Sequence, residues 1–111
     1  MRALVVHAHS EPDSFVSAMR DVIVKTLRAR DARIDQSDLH AMGFNPVLSA
    51  ADFGTRKDRN HLTYALEQRH NFDQGSLASD IIAEIDKVRR ADLVIFTFPI
   101  FWFSVPAILK G

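Results

Sequence analysis

The stretch "ALVVHAHSEPDSF", residues 3–15, decides the fold because its hydrophobic period changes within a few residues. It begins as a short apolar, β-branched run, which is typical of a buried strand. A polar loop follows, and apolar residues then recur at helical spacing from Phe15. We therefore predict a strand, a loop and an amphipathic helix of about four turns, with Asp13 or Ser14 as its N-cap. The apolar positions of this helix are Phe15, Met19, Val22, Ile23 and Leu27.

Downstream segments continue the alternation of strand and helix. "RIDQSDL", residues 33–39, alternates weakly and is polar, so it predicts an edge strand. "SLASDIIAEIDKVRRAD", residues 76–92, predicts a second amphipathic helix with Ser79 as N-cap. "LVIFTF", residues 93–98, is apolar on both faces, as expected of a central parallel strand that helices cover on both sides. The apolar stripe of the second helix comprises Ile81, Ile82, Ile85 and Val88.

The remaining segments carry weaker patterns. Residues 40–77 show no strong period, although "HLTYALEQRHNF", residues 61–72, favours a short helix. Phe98 is expected in the core, and "AILKG" after Pro106 predicts the opening of a third helix with proline in its first turn. A long irregular connection in a small domain is more often functional or interface-forming than idle.

The order strand, helix, strand, helix, strand predicts an α/β fold with right-handed crossovers. The first and third strands are the most apolar and should lie inside, which gives the spatial order 2-1-3 with the polar strand at the edge. In such a sheet a crevice opens between the carboxyl ends of strands 1 and 3, and ligands bind there. We expect one domain over residues 1–111.

Composition excludes several classes of protein. Fourteen basic residues balance 14 acidic ones, so no nucleic-acid surface is expected. The chain has no cysteine, which excludes disulfides and thiolate zinc sites and fits a reducing, cytoplasmic compartment. The N-terminal segment lacks the long apolar region of a signal peptide. Leu93 to Leu109 carries no charge, but Pro99 and Pro106 interrupt it, so we expect no integral membrane segment.

Two segments meet at the predicted crevice, and each suggests part of a ligand site. The first supplies a helix N-terminus near Ser14 to Val16, which suits a phosphate, although an N-cap that serves only the helix remains an alternative. No glycine-rich dinucleotide or nucleoside-triphosphate fingerprint occurs. The second supplies Trp102 and Phe103 beyond the end of the strand, and a flat aromatic surface beside a phosphate site suits a flavin.

Histidines after the first strand raise the alternative of a metal centre. His7 and His9 have i, i+2 spacing, so both lie on one side of the strand's end. No carboxylate or third histidine is visibly positioned to complete a coordination shell, and we therefore expect no metal.

The chain resembles the flavodoxin-like NAD(P)H:quinone oxidoreductase family, the NAD(P)H dehydrogenases (quinone) of the DT-diaphorase type. The similarity runs in order through "ALVVHAHSEPDSF", "SDLHAMGFNPVLSAADF", "ADLVIFTFP" and "WFSVPAILKG". The resemblance implies a flavin-dependent enzyme, with FAD or alternatively FMN, that works as a homodimer. It implies two-electron hydride transfer from NAD(P)H through the flavin to a quinone.

The resemblance also implies roles for particular residues. Trp102 and Phe103 would also wall the substrate pocket, and within this sequence we assign no catalytic acid or base. Family members continue for roughly as many residues again, so we expect the N-terminal portion of a five-stranded fold. The alternatives are a non-catalytic binding or regulatory module, such as an ancillary subunit of a potassium-efflux system, or an inactive truncated remnant. The implied flavin contacts are His9, Ser14, Phe15, Ala18, Pro99, Ile100, Phe101, Trp102 and Phe103.

Overall fold

Parallel strands and connecting helices make up the computed structural model, which describes residues 1–111. The elements follow the predicted order, with an additional 3₁₀ turn in the long connection between strands 2 and 3. In chain order they are β1 (Arg2–His7), α1 (Phe15–Ala29), β2 (Arg33–Asp38), the 3₁₀ turn (Ala50–Asp52), α2 (Tyr64–Gln74), α3 (Ser79–Arg90), β3 (Leu93–Thr97) and α4 (Ala107–Lys110).

The sheet has three parallel strands in the order β2-β1-β3, as predicted. β1 is central because most of its residues are apolar. Ala3, Leu4 and Val5 in this strand are completely buried. Val24 from α1 and Leu39 after β2 complete the buried apolar core around it. The predicted α/β class and strand order are therefore confirmed.

The chain divides into two compact units. The first comprises Met1–Pro46 and Asp86–Gly111, and it contains the whole sheet together with α1 and α4. The second comprises Val47–Ile85 and contains the 3₁₀ turn and α2. The boundary at Ile85 falls within α3.

Helix α1 begins after Ser14, which is the N-cap, but it packs a different face on the sheet from the one predicted. Ser17 and Val24 are its buried residues, and Ile23 and Leu27 are half-buried. The physical reason is a long-range hydrogen bond, since the Ser17 hydroxyl lies 3.1 Å from Nε2 of His7 in β1. The expected core positions that turn out to be exposed are Phe15, Met19 and Val22.

Strand β3 differs from its prediction as a covered central strand. It pairs only with β1 and therefore forms an edge of the three-stranded sheet. Phe96 is 54% exposed, and Leu93 is also exposed. Phe98, expected in the core, is only half-buried. Because β3 pairs on one side only, the apolar side chains that its sequence predicts to be covered remain partly in contact with solvent.

Boundaries at two other elements shift by one residue. β2 ends at Asp38, one residue earlier than predicted. α3 begins at Ser79 itself, and the carbonyl of Ala78 accepts the first helical hydrogen bond from Ile82, so Ser79 is not the N-cap. The last turn carries Arg89 and Arg90 as expected, which suits the negative end of the helix dipole.

The polar sequence of β2 has a structural explanation at Asp35. Its carboxylate accepts two hydrogen bonds from Arg90, at 2.9 and 3.0 Å, and one from Nε of Arg2 at 2.9 Å. The bonds from Arg90, and then those from Arg2, hold the pKa of Asp35 well below its usual range. An edge strand tolerates this arrangement because one of its faces remains accessible to water.

The second unit is organised around two buried polar residues of α2, Glu67 and Asn71. The Glu67 carboxylate accepts the backbone N–H groups of Lys57 and Asp58, both at 3.0 Å. The Asn71 side-chain oxygen accepts the backbone N–H of Thr55 at 3.0 Å. These bonds hold the irregular segment before α2 in place, in a stretch where the sequence shows no strong period.

Candidate functional site

The parallel register brings the ends of β1 and β3 to the same edge of the sheet. His7 is paired with Thr97, and the N–H of Ala8 donates to the carbonyl of Thr97 at 2.9 Å. The segments that follow these strands, residues 8–14 and 98–106, therefore leave the sheet side by side. This is the edge at which the sequence predicts a ligand crevice.

The first turn of α1 offers hydrogen-bond donors at this edge. Ser14 Oγ accepts the N–H of Ser17 at 3.1 Å, which makes Ser14 the predicted cap. The N–H groups of Phe15 and Val16 precede any carbonyl that could accept them within the helix. Together with the helix dipole, such groups favour an anion. His9 is half-buried in the preceding loop, where its Nδ1 accepts the N–H of Glu11 at 2.9 Å.

His7 connects this helix terminus to the end of β3. Its Nδ1 lies 2.7 Å from Thr97 Oγ1, and its Nε2 lies 3.1 Å from Ser17 Oγ. Desolvation by burial, followed by the nearby charge of Arg20, lowers its pKa. The side chain is buried and fully engaged, so the structure gives His7 a connecting role that the sequence, which suggested only a metal ligand, did not reveal.

The segment after β3 folds into a tight turn that displays two aromatic rings. Phe101 and Ser104 exchange two backbone hydrogen bonds of 3.0 Å, and the residues between them, Trp102 and Phe103, have φ values of 48° and 63°. Positive φ at both central residues is the signature of a type I′ turn, which normally requires Asn-Gly. Trp102 is 93% exposed and Phe103 is 98% exposed. Both rings therefore project into solvent from a strained backbone.

The other predicted contacts after β3 differ in their exposure. Pro99 is half-buried, whereas Ile100 and Phe101 are exposed. All of them lie between the end of β3 and the tight turn, so the five residues from Pro99 to Phe103 form one continuous surface segment.

The predicted contacts in the β1 loop and α1 line two different cavities. His9 lines a cavity of about 430 Å³ on the β2 side of α1, together with Arg20, Asp38 and His40. Phe15 and Ala18 instead line a shallow apolar depression of about 310 Å³ on the outer face of α1. Ser14 lies in neither cavity lining.

The cavity beside His9 contains an ion pair that the sequence analysis missed. Arg20 is mostly buried; it donates to Asp21 at 2.6 Å and to Asp38 at 3.3 Å. A usable signal existed, because Asp38 directly ends a parallel strand, which is where polar groups of α/β sites concentrate. Its partner Arg20 lies on the sheet-facing side of α1, whose buried residues Ser17 and Val24 were not part of the predicted apolar stripe.

The structure has neither a metal-binding cluster nor a membrane-spanning helix. The chain contains no group of three or more histidine, cysteine, aspartate or glutamate side chains arranged to hold a metal ion. Among its helices, none combines the length and the apolar character needed to cross a bilayer.

A parallel sheet in the order β2-β1-β3, with helices connecting its strands, is typical of doubly wound α/β proteins, which bind ligands at the carboxyl ends of their strands. The family model described as a flavodoxin-like fold matches residues 1–111, and the chain belongs to this family. The resemblance drawn from the sequence is thereby confirmed at the level of the family.

Individual relatives agree with this assignment. The chain is 47% identical over 111 residues to rat NAD(P)H dehydrogenase [quinone] 1, covering 99% of this chain and 40% of that protein. It is 46% identical over 111 residues to human ribosyldihydronicotinamide dehydrogenase [quinone], covering 99% of this chain and 48% of that protein.

Solved structures match along the same length. A Klebsiella pneumoniae protein with a proposed quinone reductase activity superposes with a TM-score of 0.95 at 36% identity, covering 99% of this chain and 42% of that one. An NAD(P)H:quinone oxidoreductase from Methanothermobacter marburgensis superposes with a TM-score of 0.73 at 26% identity, covering 99% and 49% of the two chains. The chain thus spans less than half the length of these relatives.

Proposed function

We propose that this chain forms the flavin-binding portion of an NAD(P)H:quinone oxidoreductase. The observation that carries the proposal is the pair of rings at Trp102 and Phe103, which are 93% and 98% exposed on a strained turn beside the end of β3. A folded chain leaves such rings in water only at an energetic disadvantage, and strained exposed residues concentrate at ligand sites. The names of the relatives supply the class of reaction.

The residues present fit a flavin nucleotide. The first turn of α1 presents unpaired N–H donors and the positive end of its dipole, which suit the phosphate groups. Ser14 and His9 border this turn, and Phe15 and Ala18 continue it along the helix. On the other side, the segment from Pro99 to Phe103 offers backbone N–H groups and flat rings to a planar heterocycle.

Each part of the chain has a separate task in this proposal. The helix terminus binds and orients the phosphates, and the segment after β3 orients the ring. Trp102 and Phe103 also form the apolar wall against which nicotinamide and quinone substrates pack in turn. The chemistry that a bound flavin supplies is two-electron hydride transfer between NAD(P)H and a quinone. The chain itself contributes positioning and exclusion of water, and no acid or base of its own.

We propose FAD rather than FMN as the cofactor, a homodimer as the assembly and the cytoplasm as the location. The family resemblance supports the first two, and the lack of cysteine is consistent with the third. Sedimentation at several protein concentrations tests the dimer, since a monomer throughout the micromolar range would contradict it.

Flavin titration tests the central proposal on the 111-residue chain. FAD and FMN are each added to the purified protein, and binding is followed by quenching of flavin fluorescence. Anaerobic addition of NADPH then tests whether the absorbance of bound flavin bleaches. We expect saturable binding that is tighter for FAD and weaker in a Trp102→Leu/Phe103→Leu variant, with bleaching by NADPH.

A matched control is Phe96→Leu, which removes an exposed ring from β3 outside the proposed contacts. It should bind flavin as the unmodified chain does. Absence of saturable binding by the unmodified chain would refute flavin binding by this chain. Equal affinity in the Trp102/Phe103 variant would refute the role assigned to the turn.

A further inference from the structure

His7 is the one buried histidine, and none of the contacts that the family resemblance implies involves it. It lies at the last position of β1 and touches elements on two sides of the proposed site. Thr97 Oγ1, at the end of β3, lies 2.7 Å from its Nδ1. Ser17 Oγ, in the first turn of α1, lies 3.1 Å from its Nε2.

The hydrogen bonds around Ser17 determine which nitrogen of His7 carries the proton. The Ser17 hydroxyl donates to the carbonyl of Glu11 at 2.8 Å, and it accepts from the hydroxyl of Ser14 at 2.9 Å. Because a hydroxyl has a single proton, Ser17 Oγ can only accept from His7. Nε2 therefore donates, and Nδ1 of the neutral ring accepts the hydroxyl proton of Thr97.

This arrangement extends through the cap of α1. Ser17 is bonded at once to His7, to Ser14 and to the loop carbonyl of Glu11, while its own N–H donates to Ser14 Oγ. The donors that would hold a phosphate, the N–H groups of Phe15 and Val16, lie between these two serines in the chain. Their direction is therefore tied, through Ser17 and His7, to the end of β3.

Burial, more than the surrounding charges, opposes the protonation of His7. Arg20 of α1 and His9 of the following loop disfavour the cation, whereas Asp38 at the end of β2 and Asp21 of α1 favour it. Desolvation has the largest effect and also disfavours the cation, so the pKa of His7 lies below its ordinary value. No charged residue of β3 is among these neighbours.

We propose that His7 is a positioning residue, which holds the first turn of α1 against the end of β3 and thereby aligns the two halves of the flavin site. This inference rests on the proposed function for its consequence, but the linkage itself is a property of the chain without ligand. Protonation of His7 removes the acceptor that Thr97 uses and places a cation beside Arg20. In the open form His7 has the ordinary histidine pKa of about 6.5, so the first turn of α1 begins to loosen below that pH and loosens further until the pH passes the lowered pKa of the folded chain.

The linkage is tested first without flavin, by NMR of the 111-residue chain. At pH 7 the side-chain nitrogen shifts of His7 should show a neutral ring with the proton on Nε2. In His7→Leu, the amides of Ser17 and Ala18 should exchange about tenfold faster, as expected when a buried hydrogen-bond network is broken. Thr97→Val, which keeps the shape of the Thr97 side chain, should also accelerate the exchange of these two amides. The amide of Val24, deeper in the same helix, should change little in either variant.

The control is His40→Leu, which replaces an exposed histidine that lines the same cavity as His7 but makes none of the hydrogen bonds of Ser17 or Thr97. It should leave the Ser17 and Ala18 amides unchanged. In the unmodified chain, the exchange rate of these two amides relative to that of Val24 should increase when the pH is lowered from 7 to 5. This increase should be absent from His7→Leu. A proton on Nδ1 at pH 7, or unchanged amides in both the His7 and Thr97 variants, would overturn the inference.

Flavin affinity then separates this inference from the proposed function. If the unmodified chain binds FAD, its affinity should fall between pH 7 and pH 5. His7→Leu should weaken FAD binding about tenfold at pH 7 and should remove this further fall at pH 5. His40→Leu should have neither effect. If the unmodified chain binds no flavin, the proposed function is wrong, yet the exchange and tautomer measurements still decide the linkage. Flavin binding with an unaltered affinity in His7→Leu would leave the function standing and contradict the positioning role.

Discussion

The strained turn at Trp102 and Phe103 leads us to expect that replacing both aromatic residues with residues that favour positive φ stabilises the chain. Both residues have positive φ, 48° and 63°, in a two-residue turn closed by Phe101 and Ser104. A residue with a Cβ atom loses about 1 kcal/mol or more in this conformation. The double variant Trp102→Asn/Phe103→Gly supplies the residues that a type I′ turn prefers.

The expected gain follows from three contributions. Relief of the backbone strain at positions 102 and 103 stabilises the folded chain by about 2 kcal/mol. The added glycine increases the entropy of the unfolded chain, which subtracts about 0.5–1 kcal/mol. Lost packing contributes little, since the two side chains are 93% and 98% exposed. The net stabilisation should be about 1 kcal/mol, or a rise in Tm of about 5 °C for a chain of this size.

Urea denaturation followed by circular dichroism measures this change, and a matched variant isolates its cause. Trp102→Leu/Phe103→Leu removes the rings but keeps two Cβ-bearing residues at positive φ, so its stability should stay close to that of the unmodified chain. Both variants should lose flavin affinity. A destabilised Asn-Gly variant, or equal stabilisation in the Leu-Leu variant, would refute the argument that the turn stores strain for the sake of its rings.

Three further perturbations test the N-cap Ser14, the ion pairs of Asp35 and the buried carboxylate of Glu67. Ser14→Ala should destabilise the chain by about 1 kcal/mol through loss of the N-cap, and Ser14→Asp should restore the cap while weakening FAD binding by repulsion, as shown by paired urea and fluorescence titrations. Asp35→Asn should cost about 1 kcal/mol or less near pH 7, because its partners are partly exposed. Since the folded pKa of Asp35 is lowered, that contribution exists above pH 4 and disappears on further acidification, so the two stability curves should converge in acid. Glu67→Gln should accelerate amide exchange at Lys57 and Asp58, and unchanged exchange there would contradict its anchoring role.

Much of the fold was predictable because the decisive patterns are local. The apolar run of β1 and the polar run of β2 together indicate which strand is central, and the structure has the order β2-β1-β3. Ser14 was recognisable as a cap because capping depends on one side chain and the next helical turn. These features need no knowledge of distant contacts.

The inner face of α1 was not predictable from its own sequence. Hydrophobic spacing favoured Phe15, Met19 and Val22 as core positions, yet all three are exposed. The sheet-facing position is occupied by Ser17, whose hydroxyl is satisfied by His7. Periodicity counts apolar residues, and it cannot anticipate a polar residue that becomes acceptable through a partner in another element.

The candidate site was predictable in its location but not in its detail. The edge at His7 and Thr97 follows from strand order alone, and the aromatic residues after β3 were conspicuous. The turn at Trp102 and Phe103 carries no Asn or Gly, so no turn signal announced its backbone. The ion pair of Arg20 and Asp38 was likewise hidden, since it joins α1 to the end of β2.

Helix α2 has an inverted distribution of side chains, and this has a thermodynamic consequence. It buries Glu67 and Asn71 while Leu66 and Phe72 remain partly exposed, so opening of this segment hydrates polar surface together with the apolar surface that Tyr64 shares with Phe53. Polar hydration lowers the heat capacity and apolar hydration raises it. We therefore expect the free energy of this local opening to vary almost linearly with temperature, without the curvature that a hydrophobic core produces. Amide exchange at Glu67 and Asn71, measured at several temperatures, would show whether the free energy of opening follows such a straight line.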